Sequence, residues 1–266
     1  MDIQEFYLKD GEKPLDHILS DGGFTSIFRT IGCVGDSLSS GEHESTDESG
    51  TKKGYHDYYE YSWGQYIARA AGCKVYNFSK GGMTAKAYME KFADEKDFWN
   101  PELACQAYIF ALGVNDVLNQ GQPVGDVGDI DLADYTKNAD TFCGWYARII
   151  QRLKEIQPKA RFFLMTMPRG DVRAKDDLRR AHRELLYKLA DLFDYTYVID
   201  LYEYGPVYDE TFVKNFYLGG HLNAAGYLLT AKMVMSYIDY LVRSDFASFS
   251  QVGFIGKDVH NYTAKW

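Results

Sequence analysis

The amino-acid sequence predicts an α/β fold, in which a parallel sheet carries helices on both faces. Short apolar runs of strand length alternate along the chain with longer segments whose apolar residues recur every three or four positions. Strands that are separated by helices pair in parallel, and a sheet covered on both faces has almost continuously apolar strands. Right-handed crossovers then leave few arrangements of these strands.

Five runs are interpreted as strands, and they cover Ser26–Val34, Lys74–Phe78, Gln106–Leu112, Arg161–Thr166 and Tyr195–Leu201. Helical periodicity falls between them, over Tyr58–Ala71, Thr84–Phe92, Tyr135–Ile156, Lys175–Phe193 and from Asn223 or Ala224 to about Arg243. Two connections are longer than is usual in such folds, Ser39–Asp57 and Gly121–Asp134. Because each follows a strand that ends in a polar motif, we expect both to rim a pocket.

Size and composition indicate one domain. The chain has 266 residues, of which 46% are hydrophobic, and it contains no internal repeat and no linker rich in Pro, Gly or Ser. We predict a single domain over residues 1–266, with its core at about 27–243. An N-terminal arm (1–25) and an aromatic C-terminal tail (245–266) are expected to pack on that core.

The net charge limits the kinds of molecule that the protein binds, and the cysteine spacing indicates the cellular compartment. A net charge of −9 argues against nucleic acid or an anionic membrane as the main partner. No apolar run approaches the roughly 20 residues that span a bilayer, and the first residues lack the features of a signal peptide. The cysteines have no Cys-x-x-Cys spacing and are expected to be free thiols in a reducing compartment: Cys33, Cys73, Cys105 and Cys143. These features predict a cytoplasmic protein.

The first strand runs into Gly35-Asp36-Ser37, which places a serine hydroxyl at the carboxyl end of a strand. Open α/β sheets bind their ligands beyond the carboxyl ends of their strands. Ser37 is therefore a candidate nucleophile, although serine needs a neighbouring base to take its proton. Taken alone, the same triplet is equally well explained as a turn or a helix N-cap.

Three further polar clusters follow later strands or precede the last helix. Gly82 lies in a Gly-Gly turn and is a candidate oxyanion donor through its backbone N–H. Asn115 is a second candidate donor through its amide, and Asp116 is expected to hold the loop. His221 follows two glycines just before the last helix and is the candidate base.

These four clusters, in this order, resemble the SGNH hydrolase superfamily, also called GDSL esterases/lipases. The resemblance spans about residues 27–240, with Ser37, Gly82, Asn115 and His221 at the positions of the four motifs. It implies a flavodoxin-like three-layer α/β/α sandwich with a five-stranded parallel sheet. It also implies ester hydrolysis through an acyl-serine, with Ser37, Gly82 and Asn115 forming the oxyanion hole and with neither metal nor cofactor. Asp36 and Asp116 would then support the site structurally.

The chain departs from the family at one position. Members of the family usually carry an aspartate three residues before the histidine, where this chain has Leu218. Three explanations stay open: a main-chain carbonyl such as that of Leu218 accepts the Nδ1 proton of His221; an acid from elsewhere, such as Asp200, replaces the aspartate; or the protein binds without catalysing. The acidic stretch that begins with Glu42-His43-Glu44 is interpreted as a solvated loop rather than a cation site, because nothing fixes a ligand geometry there.

We expect a serine esterase for small acyl groups, with an O-acetyl group on a carbohydrate as the substrate. The aromatic stretch Tyr55–Tyr66 offers faces for sugar rings, although core packing explains most of its residues equally well, and the sequence contains no strongly apolar lid. The alternatives are a lipase, lysophospholipase or thioesterase for longer acyl chains, and a catalytically silent ester- or carbohydrate-binding protein of the same fold.

Overall fold

The structure is a computed structural model that describes residues 2–51, 53–170 and 175–257. It confirms the predicted fold class, because five parallel strands form a central sheet with helices packed on both faces. Two short antiparallel hairpins lie outside this sheet. Among the helices that the structure describes, none combines the length and the apolarity needed to cross a membrane.

The strands of the described ranges are β1 Thr30–Gly35, β2 Glu42–Thr46, β3 Lys53–Asp57, β4 Lys74–Ser79, β5 Ala107–Ala111, β6 Arg161–Met165, β7 Thr196–Ile199, β8 Tyr217–Leu218 and β9 His221–Leu222. The central sheet has the order β4-β1-β5-β6-β7, while β2 pairs with β3 and β8 pairs with β9. The chain moves from β1 to β4 on one side and then to β5 on the other. The carboxyl end of β1 therefore lies at the switch point where such sheets bind ligands.

The α-helices of the same ranges are α1 Ser37–Ser40, α2 Trp63–Ala71, α3 Ala85–Ala87, α4 Ala93–Glu95, α5 Phe142–Ile156, α6 Asp176–Leu192, α7 Leu201–Tyr204, α8 Glu210–Phe216, α9 Ala224–Ser244 and α10 Phe246–Phe249. Two π-helical segments occupy Tyr88–Phe92 and Val114–Asn119. Short 3-10 turns lie at Ile3–Phe6, Gly23–Ile27, Tyr59–Tyr61, Pro101–Leu103, Val127–Asp129, Tyr135–Lys137 and Val252–Phe254.

Side chains that alternate along the strands build one core on each face of the sheet. On β5, Tyr108 and Phe110 join a buried cluster with residues of α5 and α6. Ala107 and Ile109 point to the opposite face and join a second cluster with residues of α2 and α9. Both faces are therefore apolar, as the uninterrupted hydrophobic runs predict.

Two helices begin later than their periodicity predicts, because a side-chain cap fixes each start. Helix α2 begins at Trp63, where the hydroxyl of Ser62 accepts a hydrogen bond from Gln65 N at 3.2 Å. Helix α5 begins at Phe142, where Thr141 caps the first turn in the same way at 3.1 Å. The apolar residues before these caps belong to separate 3-10 turns, whose spacing mimics a helical continuation.

The interpretation of the acidic stretch that begins with Glu42 as a solvated loop is wrong. The segment folds into the β2–β3 hairpin, which contacts β8 and β9 beside the central sheet. Glu44, at the centre of β2, is only 6% exposed. Both faces of β2 carry polar residues, so its sequence lacks the alternation of apolar and polar residues that marks a strand.

Both ends of the described chain pack on the body. Phe246 makes edge-on ring contacts with Tyr7 and Phe24, with centroids 5.7 and 5.3 Å apart. Phe249 stacks on Tyr197 at 5.1 Å. The tail residues 258–266 lie outside the described residues, and the assignment of the whole chain to one domain stays a prediction.

Candidate active site

A cavity of about 620 Å³ opens at the carboxyl edge of the central sheet. All four residues singled out from the sequence line it: Ser37, Gly82, Asn115 and His221. They are far apart along the chain, and the sheet brings them together because each follows or faces the end of a parallel strand. The structure therefore brings together in one cavity the four residues that the sequence predicts for one site.

Ser37 is the first residue of α1, immediately after β1. Asp36 caps this short helix, and its Oδ1 accepts a hydrogen bond from Leu38 N at 3.1 Å. The cap turns the chain sharply at the strand end and leaves the Ser37 side chain on the cavity wall. Burial raises the pKa of Asp36 to about 7, against the opposing effect of the Leu38 amide.

Gly82 occupies the turn after β4. Its φ is +73°, in the left-handed region that favours glycine, and a Cβ built there would meet no atom within 4 Å. The open space on that side is the cavity itself. A side chain at position 82 would project toward a bound ligand, so glycine leaves the backbone approachable.

Asn115 lies in the π-helical segment after β5, with its amide held by neighbours. Its Nδ2 donates to Met83 O at 3.1 Å and lies 3.4 Å from Asp36 Oδ2. Its Oδ1 accepts a hydrogen bond from Asn119 Nδ2 at 2.9 Å, which fixes the donor end of the amide toward Asp36. The hydrogen bond toward Asp36 is long, so this N–H has capacity for a stronger acceptor.

Asp116 is completely buried and links two loops of the site. Its Oδ1 accepts a hydrogen bond from Ala85 N at 2.7 Å, which ties the segment after β5 to the start of α3 after β4. Burial raises the pKa of Asp116 to about 6. The contact joins the loops that carry Asn115 and Gly82.

His221 lies on β9 and contacts Glu44, a carboxylate that the sequence analysis assigned to a solvated loop. Its Nδ1 is 2.8 Å from Glu44 Oε1, and the same oxygen accepts a hydrogen bond from Gly220 N at 2.7 Å. The hydrogen bond from His221 lowers the pKa of Glu44, against a weaker effect of burial. An ionised Glu44 accepts only, so the proton lies on Nδ1 and Nε2 keeps its lone pair.

Two glycines make room for this carboxylate. Gly219 has a φ of +70°, and a Cβ at that position would collide with Glu44 Oε2. A Cβ at Gly220 would lie 3.0 Å from Glu44 Oε1. The Gly-Gly pair before His221 thus permits the close approach of the hairpin.

Neither suggested substitute for the missing aspartate is the partner of His221 Nδ1. Leu218 pairs with His221 across the β8–β9 hairpin, but the partner of Nδ1 is Glu44 and not the Leu218 carbonyl. Asp200 is fully buried and binds Arg183 Nε at 2.6 Å and Tyr187 Oη at 2.9 Å. Asp200 serves as the N-cap of α7, and each of its oxygens accepts hydrogen bonds from groups other than the imidazole.

Two signals in the sequence point to Glu44 in retrospect. Glu42 and Glu44 have the i, i+2 spacing that puts both carboxylates on one face of a strand. The glycine pair at 219–220 marks a place where another group approaches the backbone. Neither signal names its partner, because 177 positions separate Glu44 from His221 along the chain.

Glu42 lies on the other side of the imidazole. Its Oε1 is 3.6 Å from His221 Nε2, its carboxylate lies against Gly81, and Glu42 itself lines the cavity. The hydroxyl of Tyr227 donates a hydrogen bond to Glu42 O at 2.6 Å and so fixes the start of the hairpin to α9. His221 therefore lies between two carboxylates of one strand.

The prediction that Gly121–Asp134 rims the pocket is wrong. The lining of the cavity in the described residues ends at Asn119 on this side. The segment packs instead on α5 and α6, where Asp126 pairs with Lys188 at 2.9 Å and Pro123 O accepts a hydrogen bond from Phe142 N at 2.9 Å. Within the part of the chain that the structure describes, no group of three or more His, Cys, Asp or Glu side chains is arranged to hold a metal ion.

An open parallel sheet with a serine, a histidine and amide donors at its carboxyl edge defines the class of α/β serine hydrolases. The family model of the GDSL-like lipases/acylhydrolases matches residues 33–229. The chain belongs to that family and is an ester hydrolase of the GDSL type. No curated protein sequence matches the chain.

Solved structures of carbohydrate esterases share the fold. A family two carbohydrate esterase from Clostridium thermocellum, in complex with cellohexaose, has 16% identity and a TM-score of 0.58 over 83% of this chain and 65% of its own. A family 2 enzyme with a carbohydrate-binding domain from Corynascus thermopiles has 17% identity and a TM-score of 0.54 over 79% and 65%. A family 3 carbohydrate esterase from Clostridium thermocellum has 16% identity and a TM-score of 0.52 over 81% and 97%. This chain therefore spans about two thirds of the family two proteins and nearly all of the family 3 protein.

Proposed function

We propose that the protein hydrolyses small acyl esters, with an O-acetyl group on a carbohydrate as the substrate, through an acyl-Ser37 intermediate. The observation that carries this proposal is the convergence of Ser37, Gly82, Asn115 and His221 on one cavity. A binding protein needs no such combination of hydroxyl, base and amide donors. The carbohydrate esterases that share the fold support the sugar as the acyl acceptor.

In the first half-reaction, Ser37 Oγ attacks the ester carbonyl while His221 Nε2 takes the hydroxyl proton. The carbonyl oxygen becomes an oxyanion that accepts hydrogen bonds from backbone N–H groups of Ser37 and Gly82 and from Asn115 Nδ2. The intermediate collapses as the carbon–oxygen bond to the alcohol breaks, and His221 returns its proton to the departing alkoxide. Water then repeats the sequence on the acyl-serine and releases the carboxylic acid.

A second candidate function is the hydrolysis of longer acyl chains by a lipase, lysophospholipase or thioesterase. The observation that favours it is the apolar part of the cavity lining, which includes Leu118, Met167 and Val213. Such a lining suits an alkyl chain as well as an acetyl methyl group. The third alternative, a silent ester- or carbohydrate-binding protein, predicts that Ser37 does not react.

Rates on p-nitrophenyl esters of increasing chain length, together with fluorophosphonate labelling, test the proposal. We expect hydrolysis that falls beyond butyrate, labelling at Ser37, and release of acetate from acetylated oligosaccharides. Ser37→Ala should lose labelling and reduce kcat by on the order of 10⁴-fold or more, with an unchanged melting temperature. Rates that rise with chain length would favour the second candidate, and an unlabelled wild-type protein would favour the silent one.

A further inference from the structure

We propose that Glu44 is the acid of a Ser37–His221–Glu44 triad and is supplied by the β2–β3 hairpin instead of the segment before the histidine. The inference rests on the proposed function and deepens it. Glu44 acts through His221 and touches neither substrate nor the reacting atoms, so it is a positioning residue. The hairpin then completes the site and does not merely border it.

The first support is the geometry at Nδ1. The 2.8 Å contact with Glu44 Oε1 is a charge-assisted hydrogen bond that fixes both the tautomer and the plane of the ring. Nε2 is then the nitrogen that remains for Ser37, because both residues line the same cavity. As Nε2 takes the serine proton, the ring becomes an imidazolium, and the adjacent negative charge stabilises it.

The second support is that neighbouring groups fix the position of the Glu44 carboxylate. The side chain of Glu44 is 6% exposed, and Gly220 N donates a second hydrogen bond to the oxygen that faces the imidazole. The carboxylate also rests on Gly219, where any side chain would displace it. A surface carboxylate that met His221 by chance would lack this built recess.

The third support is the difference between the two carboxylates beside the ring. Glu44 is within hydrogen-bond distance of Nδ1, whereas Glu42 is 3.6 Å from Nε2, outside that distance. Nε2 has to exchange a proton with Ser37, so a tight bond there would compete with catalysis. Nδ1 needs a permanent acceptor, and Glu44 supplies one.

The decisive variant is Glu44→Gln, which keeps the shape of the side chain and removes its charge. We expect kcat on p-nitrophenyl acetate to fall by on the order of 10³-fold, with a melting temperature close to that of the wild type. The acidic limb of the kcat/KM profile should move to lower pH, because loss of the charge disfavours the protonated ring. A merely structural role would not move that limb. Glu48→Gln, at an exposed position in the turn of the same hairpin, is the matched control and should leave kcat unchanged.

Two more variants keep the test decisive. Glu44→Asp retains the charge, so its acidic limb should stay near the wild-type position even if kcat falls and even if the Gln variant folds poorly. Glu42→Gln removes the same charge from the other side of the ring and should cost less activity than Glu44→Gln. An equal or larger loss from Glu42→Gln would overturn the assignment to Glu44.

The proposal fails alone if the wild type is labelled at Ser37 and hydrolyses the ester, yet Glu44→Gln keeps kcat within about threefold and leaves the acidic limb in place. An acidic limb that moves equally in Glu44→Asp and Glu44→Gln would also overturn it. If the wild type neither labels nor hydrolyses any ester, the proposed function fails first. The two failures are therefore distinguishable.

Discussion

Asp200 and Glu44 are both carboxylates buried near the carboxyl edge of the sheet, and their partners differ in kind. Asp200 follows β7 and binds groups of its own neighbourhood: Arg183 Nε, Tyr187 Oη, Thr166 Oγ1 and Glu203 N. Glu44 lies on a hairpin outside the central sheet and binds a histidine and a glycine N–H from the distant β8–β9 hairpin.

This difference in partners distinguishes a carboxylate that stabilises the fold from one that can take part in catalysis. Each oxygen of Asp200 accepts two hydrogen bonds, which leaves little capacity for a further partner. The histidine bound by Glu44, in contrast, lines the cavity together with Ser37. Burial alone therefore does not identify a functional acid, and the identity of the partner does.

Among the variants that test the difference between Asp200 and Glu44, the largest expected effect is a loss of stability in Asp200→Asn. Removing the charge of the fully buried Asp200 leaves the partly exposed Arg183 without its counter-ion, at a cost of about 3 kcal/mol in the free energy of unfolding. Urea denaturation measures this cost. The folded variant should keep most of its esterase activity, the reverse of the expectation for Glu44→Gln. Equal losses of kcat in Ser37→Ala and Asp200→Asn would instead place Asp200 in the catalytic machinery.

The next effect is expected from Gly219→Ala, which disturbs Glu44 without changing it. Alanine is disfavoured at a φ of +70°, and its Cβ would collide with Glu44 Oε2. We expect kcat to fall by roughly 10-fold to 100-fold as the carboxylate is displaced from His221, an effect of about 2 kcal/mol. Gly50→Ala is the matched control, since Gly50 also has a positive φ of 72° but a Cβ there meets nothing within 4 Å.

The same loss of kcat in both glycine variants would show that backbone strain, and not the contact with Glu44, is responsible. A melting curve separates the two contributions, because strain lowers the melting temperature in either variant. Only displacement of Glu44 should change the kcat/KM profile with pH.

The helices and the strands of the central sheet are predictable from the sequence, because their buried faces require apolar residues at regular intervals. Every strand of the central sheet overlaps a predicted apolar run, and the segments Phe142–Ile156, Asp176–Leu192 and Ala224–Ser244 carry the expected helical period. The element boundaries follow from caps such as Ser62 and Thr141, which have no hydrophobic signature. Those boundaries were therefore predicted less well.

The site was predictable where a motif lies at the end of a predicted strand, as for Ser37, Gly82 and Asn115. Glu44 was not, because its strand belongs to a small hairpin with no apolar face and its partner is distant in sequence. Acidic residues in a polar stretch are most simply explained as solvated. Only the tertiary contact between the β2–β3 and β8–β9 hairpins buries Glu44 and makes it the hydrogen-bond partner of the imidazole.

A third buried carboxylate gives the smallest predicted effect and extends the comparison to a group whose hydrogen-bond partners are neutral. Asp36 binds Leu38 N and the Asn115 amide, and burial raises its pKa from 3.8 to about 7. Between those values the native state holds the proton more tightly than the unfolded chain, so this group stabilises the fold as the pH falls and loses that contribution as the pH rises through about 7.

The side chain of the variant Asp36→Asn cannot ionise. The free energy of unfolding of the variant relative to the wild type should therefore be more favourable at pH 8 than at pH 6, by about 1 kcal/mol. Urea denaturation of both proteins at the two pH values measures this difference. His182, whose pKa burial lowers to about 4, acts with the opposite sign but is present in both proteins and cancels. A relative stability that does not change with pH would mean that Asp36 stays ionised and that its charge is compensated within the site.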